Sequence, residues 1–306
     1  ILKIQDGCQR FCTFCIVPFV RGREVSRPSE EIISEIHDLV EKGAKEVILV
    51  GQTVNTYGVH GGDCSFVELV KRVANIQGIK RIRFTSPHPS DFTDEQISLF
   101  REIQKLCAHA HLPVQSGSNS ILEKMKRGYT KEEYLEKISK LKDANSNIAI
   151  STDIIVGFPS ESDQDFAETL SFIKQVEFSS IFSFIYSKRK WTKAENIADN
   201  TSDSLKKERF TELLKTQKEI HEHLMKQYVG KESEILVESF QQSEEKPYIF
   251  RYEGRTSQNY VVHFEHHLPP EQMLGTFQNI LISSALSYCF LGISQSFLEQ
   301  NNTKNG

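Results

Sequence analysis

Short apolar runs that alternate with amphipathic stretches constrain this chain more than any other feature. The runs are Leu2 to Gln5, Glu46 to Val50, Arg81 to Thr85, Ala110 to Val114, Ala149 to Val156 and Ser180 to Tyr186. Between them lie helical patterns at Ser29 to Lys42, Phe66 to Ile76, Asp94 to Leu106, Lys131 to Ala144 and Gln164 to Val176. Such alternation predicts parallel strands joined by crossover helices. Ser29 behind Pro28, and Thr93 ahead of Asp94 and Glu95, are the expected caps, with acids where the helix dipole favours them. Eight such units close a full barrel; the six found here predict an open, partial (β/α)6 barrel.

Beyond the sixth run the texture changes. A charged helical stretch, Ser204 to Tyr228, carries Leu205, Phe210, Leu213, Leu214, Ile220 and Leu224 at roughly helical intervals. From Val229 the chain breaks into short β-like runs at Ser233 to Val237, Tyr248 to Tyr252, Tyr260 to Phe264 and Asn279 to Ile282, which reads as a small all-β domain. The expected organisation is a barrel with a helical extension over 1–228, a β domain over 229–294 and a tail over 295–306. The apolar stretch Ile280 to Ile293 is interrupted by Ser283, Ser284, Ser287 and Gly292, too short and polar for a bilayer span of about 20 residues. The chain opens at Ile1 and shows no basic-then-apolar leader, from which a missing upstream segment and a cytoplasmic location are expected.

The segment Gly7-Cys8-Gln9-Arg10-Phe11-Cys12-Thr13-Phe14-Cys15 follows the first run directly. It sets three thiols in one loop at the carboxyl end of a strand, where barrel enzymes keep their chemistry. Three thiolates suit an iron-sulfur cubane and leave its fourth iron open. The open iron can take the amino and carboxylate groups of S-adenosylmethionine, and electron transfer to the sulfonium then yields an adenosyl radical. A structural zinc site normally shows four ligands in paired spacing, and no second cysteine pair exists here. Cys64, Cys107 and Cys289 are isolated and read as structural. The ten histidines are scattered; His109 and His111 would point the same way from one strand, and none is assigned a role.

The cysteine loop, with Phe14 before its last cysteine, resembles the radical S-adenosylmethionine superfamily. The stretches Cys12 to Arg27, Val50 to Tyr57, His111 to Gly117 and Gly157-Phe-Pro159 narrow the likeness to tRNA methylthiotransferases of the MiaB type. The resemblance implies a [4Fe-4S] cluster on Cys8, Cys12 and Cys15 and S-adenosylmethionine as cofactor. It also implies addition of a methylthio group to C2 of an N6-isopentenyl adenosine beside the anticodon of tRNA. A relative acting on threonylcarbamoyl-adenosine, and a cluster-bearing RNA-binding module without turnover, are the competing expectations. Family members carry a further domain ahead of the barrel, whose three cysteines hold an auxiliary cluster; those ligands are absent from this sequence. An electron donor such as flavodoxin or ferredoxin, and a monomer, are expected.

The same likeness assigns Phe14, Gln52, Asn55, Gln115, Ser116, Asp153, Gly157 and Pro159 to cofactor binding, against the plainer reading that the polar ones satisfy loop backbone. The net charge of -4 and pI near 6.2 give no global basic footprint, so RNA contacts must be local. Arg21, Arg23 and Arg27 follow the first strand, and Lys188, Arg189, Lys190 and Lys193 the sixth, so both sets would flank the barrel's open side. Arg21 or Arg23 has a second expectation, to hold the cofactor carboxylate. The β domain resembles the RNA-binding TRAM barrel. Between Val229 and Ile293 it has only Lys231, Lys246, Arg251 and Arg255 against eight glutamates. A face of Lys246, Arg251 and Arg255 with Tyr252 and Tyr260 for stacking is one expectation, and burial of both tyrosines the other. One stretch departs from the family's Tyr-Ser-Pro-Arg-x-Gly-Thr-Pro: here it reads Tyr186-Ser-Lys-Arg-Lys-Trp-Thr-Lys193, with the turn's glycine and prolines gone.

Overall fold

The computed structural model describes residues 1–199, 201–242 and 248–294, which fall into two compact units that divide between Gln217 and Lys218. That division lies inside the helix Asp203–Lys226, ahead of the boundary expected after 228. Among the described residues no helix is long and apolar enough to cross a membrane.

In the first unit the six expected strands form, as Leu2–Lys3, Glu46–Val50, Arg81–Phe84, His109–His111, Ala149–Val156 and Ser180–Ile185. They run parallel in chain order as two three-stranded sheets, the first three strands in one and the last three in the other. The third and fourth are joined just ahead of the fourth strand, where Ile82 donates to the Lys105 carbonyl at 2.8 Å and Cys107 donates to the Ile82 carbonyl at 2.9 Å. Period-two patterning decides the faces. Val47, Leu49, Ile82 and Phe84 are buried, and Phe84 packs edge-on to Phe66 of the helix Phe66–Asn75 at 5.2 Å. The opposite, concave face carries His109, His111, Ser151, Asp153, Phe182 and Phe184, tied together by strand register.

The helices begin where a side chain meets their free backbone N–H groups. Thr130 and Ser162 each form a capping box, and Thr93 accepts from the Gln96 N–H at 3.3 Å, as expected. Ser29 is not a cap. It sits inside the helix Ser29–Glu41, and its backbone N–H and hydroxyl both donate to Asp63 from a neighbouring loop. A carboxylate brought from elsewhere does there what the local serine was expected to do.

The second unit is a closed five-stranded barrel in the order Phe250–Thr256, Val261–His266, Cys289–Ser294, Phe277–Ala285, Glu232–Gln242. Its last strand, Cys289–Ser294, was hidden in the apolar stretch Ile280 to Ile293, which is in fact most of two strands and the turn between them. Tyr252 and Tyr260 lie in the core with Val262, Phe264 and Phe290, so the stacking expectation fails and the burial expectation holds. Arg251 faces Glu265 at 3.7 Å and Arg255 faces Glu238 at 3.2 Å, so each proposed RNA contact already has a carboxylate beside it. Lys246 and the tail 295–306 lie outside the described residues.

Candidate active site

The cysteine loop is closed at its base by a two-residue antiparallel ladder, Gln5 with Ser26 and Asp6 with Val25. Gly7 makes that closure possible. Its φ is 78°, and a Cβ there would lie 2.0 Å from the Arg23 carbonyl oxygen. Cys8 then donates its N–H to the Gly22 carbonyl at 3.2 Å. Farther along, Thr13 donates its N–H to the Met125 carbonyl at 3.0 Å and accepts from the Ala194 N–H at 2.8 Å. The loop is thereby stretched from the end of the first strand to segments that follow the fourth and the sixth.

The three sulfurs share this mouth. Burial pushes the Cys15 thiol above its ordinary range, a hydrogen bond with the Val17 backbone opposes that, and the nearby Cys12 and Cys8 sulfurs reinforce it. Among the described residues no three His, Cys, Asp or Glu side chains close around a single ion. A four-iron cubane, however, spreads its thiolates over separate irons, farther apart than the ligands of one ion. Donors aim at two of the sulfurs. Thr53 donates its hydroxyl to Cys8 Sγ at 3.2 Å, and Arg127 Nη1 donates to Cys12 Sγ at 3.3 Å, with His88 Nε2 3.9 Å from the same sulfur.

Arg127 is almost wholly buried, and its other nitrogens are committed, Nε to the Tyr129 hydroxyl at 2.9 Å and Nη2 to the Pro113 carbonyl at 2.6 Å. Burial works against its charge, but Tyr129 and Cys12 beside it more than offset that, and it stays a cation. His88 is held neutral: burial first, then the positive charges of Arg127 and Arg10, push its pKa down to about 2. Arg127, His88 and Thr53 are the site residues that sequence reasoning missed. Only Thr53 had a signal, since it stands in the stretch after the second strand. Arg127 lies 115 positions from Cys12, and no spacing rule links them.

The expected cofactor residues separate into two groups. Gln52 has a buried Oε1 without a protein partner, so it retains capacity for a ligand. Asp153 stands on the concave face with its carboxylate 3.5 Å from His111 Nε2. Phe14 packs beside the buried group of Ile121, Met125, Phe158 and Ala194. Gly157, at φ 70°, donates its N–H to Glu161 at 2.9 Å, and the buried Pro159 follows it. Asn55 is already spent, since its Oδ1 accepts from His88 N–H at 2.8 Å and its Nδ2 donates to the His88 carbonyl at 3.2 Å. Ser116 Oγ accepts from the Ser118 N–H at 3.2 Å and lies 3.3 Å from Thr169 Oγ1. Gln115 bonds through its backbone to the fifth strand at Asp153 and Ile155. The side chains of Asn55 and Ser116 thus follow the plainer reading of polar groups that satisfy loop backbone, while the bonds given for Gln115 are those of its main chain.

Of the basic residues, Arg21, Arg23, Lys188, Arg189 and Lys190 are exposed. Arg27 is not free for RNA, because it binds Glu35 and the Lys3 carbonyl, each at 2.8 Å. The donor set of three thiols, a buried cation and an unsatisfied amide oxygen fits an iron-sulfur cluster with an organic ligand beside it.

Comparison with known proteins agrees with this chemistry. Residues 2–173 match the family described as the radical SAM superfamily, and the chain belongs to that superfamily, whose members use a [4Fe-4S] cluster and S-adenosylmethionine. More specifically, it is 45% identical over 292 residues to a tRNA-2-methylthio-N(6)-dimethylallyladenosine synthase of Clostridium botulinum, across 95% of this chain and 63% of that protein. The synthase of the same name from Acetivibrio thermocellus is 43% identical, across 95% of this chain and 59% of its own length. The chain thus spans about six-tenths of the length of the curated relatives it matches. Among solved structures, the radical S-adenosylmethionine methyltransferase TsrM of Kitasatospora setae aligns with a TM-score of 0.54 at 15% identity, over 63% of this chain and 38% of that one, a likeness of fold alone.

Proposed function

We propose that this chain is the radical-generating portion of a tRNA methylthiotransferase that places a methylthio group on C2 of an N6-dimethylallyl adenosine. The observation that carries this reading is the gathering of Cys8, Cys12 and Cys15 at the barrel mouth, with Thr53 and Arg127 donating to their sulfurs. When bound there, the cluster would pass one electron to the sulfonium of S-adenosylmethionine and so supply the radical that attacks C2. The protein's part is to hold the three thiolates, to stabilise them with a buried cation, and to shield the site with the apolar group around Phe158.

The choice of N6 substituent draws support from the concave face. Phe182 and Phe184 of the edge strand are each 53% exposed there, level with Asp153 and Ile155. Two exposed rings suit a branched hydrocarbon, whereas a threonylcarbamoyl group would bring a carboxylate toward Asp153. The anticodon stem-loop of tRNA is the proposed partner, a reduced flavodoxin or ferredoxin the proposed donor, and the cytoplasm the proposed location. An auxiliary cluster outside this sequence would supply the sulfur. We read the five-stranded barrel as TRAM-like.

The test is anaerobic reconstitution with iron and sulfide, iron counting, and assay of S-adenosylmethionine cleavage to deoxyadenosine. Mass analysis of tRNA nucleosides from cells with and without the gene then decides the substrate. Zinc in the three-cysteine site, or no deoxyadenosine from loaded protein, overturns the radical reading; loss of the threonylcarbamoyl product instead overturns the choice of substrate.

A further inference from the structure

The loop after the sixth strand keeps a glycine's backbone without the glycine. Trp191 occupies the position where the resembled pattern has Gly, and its φ is 70°, a left-handed conformation that side chains rarely adopt. Neighbours impose that conformation. The Trp191 N–H donates to Glu195 Oε2 at 3.0 Å, and the Thr192 hydroxyl donates to the Arg189 carbonyl at 2.7 Å. The consequence is that a large ring is held out in water, 67% exposed, rather than folded onto the apolar group nearby. Strain that the surroundings enforce at an exposed aromatic points to use of that ring.

The charge around it points the same way. Lys188, Arg189, Lys190 and Lys193 are all exposed. Lys126, from the turn after the helix Asn119–Lys124, is exposed beside Lys193, whose side chain pushes the Lys126 ammonium below its ordinary range. Glu195 is the acid on this loop, and it is occupied by the Trp191 backbone. Crowded cations around an exposed indole match the chemistry of single-stranded nucleic acid, whose bases stack on aromatic rings while its phosphates meet Lys and Arg.

We propose that Trp191 is a stacking platform for an unpaired base of the RNA substrate, with Lys126, Lys188, Arg189, Lys190 and Lys193 meeting the flanking phosphates. The inference rests on the RNA reading of the function and adds a contact residue to it. The chain holds one tryptophan, so its fluorescence reports on this position alone.

The experiment titrates the full chain with an anticodon stem-loop RNA, following indole emission and, separately, the anisotropy of dye-labelled RNA. The expected result is quenched emission on binding, an affinity about tenfold to a hundredfold weaker in Trp191→Gly, and near-native affinity in Trp191→Phe. Gln at Lys126 and Lys193 together should weaken binding and reduce the salt slope by about two phosphate contacts. Trp191→Gly suits the test because glycine takes a left-handed φ freely, so circular dichroism should show an intact fold. RNA that binds with unchanged emission and equal affinity for Trp191→Gly overturns the stacking role. Quenching as strong by polyglutamate as by RNA would overturn it too, since charge alone would then explain the contact. If labelled RNA does not bind the native chain, the RNA reading of the function is what fails.

Discussion

The loop that follows the first strand and the loop that follows the sixth sit at the outer edges of the two three-stranded sheets, and they are built differently. In the cysteine loop the position with no room for a Cβ is given to Gly7, Phe11 takes a left-handed φ of 50° with its ring exposed, and the cation that serves the sulfurs, Arg127, is buried and fully bonded. In the 186–193 loop the demanding position is given to Trp191, the cations point to solvent, and an aromatic ring is exposed. The first arrangement suits a small charged group enclosed by protein, where fixed donors act in low dielectric. The second suits a large flexible polyanion that arrives and leaves, where exposed charge steers association. Two loops of similar chemical content are therefore suited to different ligands, because burial, rather than composition, sets what their charges can do.

The largest effect should come from the sulfurs. Replacing Cys8, Cys12 or Cys15 singly by Ala should abolish stable cluster loading and deoxyadenosine formation, whereas Cys64→Ala, Cys107→Ala and Cys289→Ala should load native amounts of iron. Unchanged iron in all three loop variants would end the comparison, because nothing enclosed would remain to contrast with the exposed loop.

The next effect sharpens the role of the buried cation. A positive charge and a hydrogen bond on a ligating sulfur favour the reduced, more negative cluster. Arg127→Gln should therefore lower the potential, and a tenfold shift in the one-electron equilibrium corresponds to about 59 mV. Arg127→Lys should recover part of that fall. A redox titration followed by electron paramagnetic resonance measures both; equal potentials in the native and Arg127→Gln proteins, at equal iron content, would reduce Arg127 to a packing role.

How far the sequence revealed these features depends on how local their causes are. The six strands and their order follow from patterns within a few residues, and so does the cysteine loop, whose three thiols sit in eight positions. What escaped was set by distant contacts. Arg127 meets Cys12 only because the fourth strand and the turn after the helix Asn119–Lys124 fold back on the loop, and Asp63 supplants Ser29 as the helix cap from another segment. Asn55 and Ser116 carry side chains as suited to a cofactor as that of Gln52, and only the hydrogen bonds in three dimensions reveal that Gln52 alone among them keeps an unused buried atom. The departure at Trp191 was visible as a mismatch, but its left-handed backbone was not, since a tryptophan in sequence argues against such a conformation.

The smallest effect isolates that backbone. A non-glycine residue in the left-handed region costs about 1–3 kcal/mol, partly offset in a glycine variant by the greater freedom of its unfolded chain, about 0.4–1 kcal/mol. Trp191→Gly should thus stabilise the first unit by about 1 kcal/mol, or roughly 2–4 °C in its melting transition. Trp191→Ala removes the ring yet keeps the strain, so it should melt at or below the native temperature. Differential scanning calorimetry on the three proteins separates ring from backbone. If Gly and Ala variants melt together, the loop holds no strain at this position, and its contrast with the cysteine loop at Gly7 reduces to the burial of the charges.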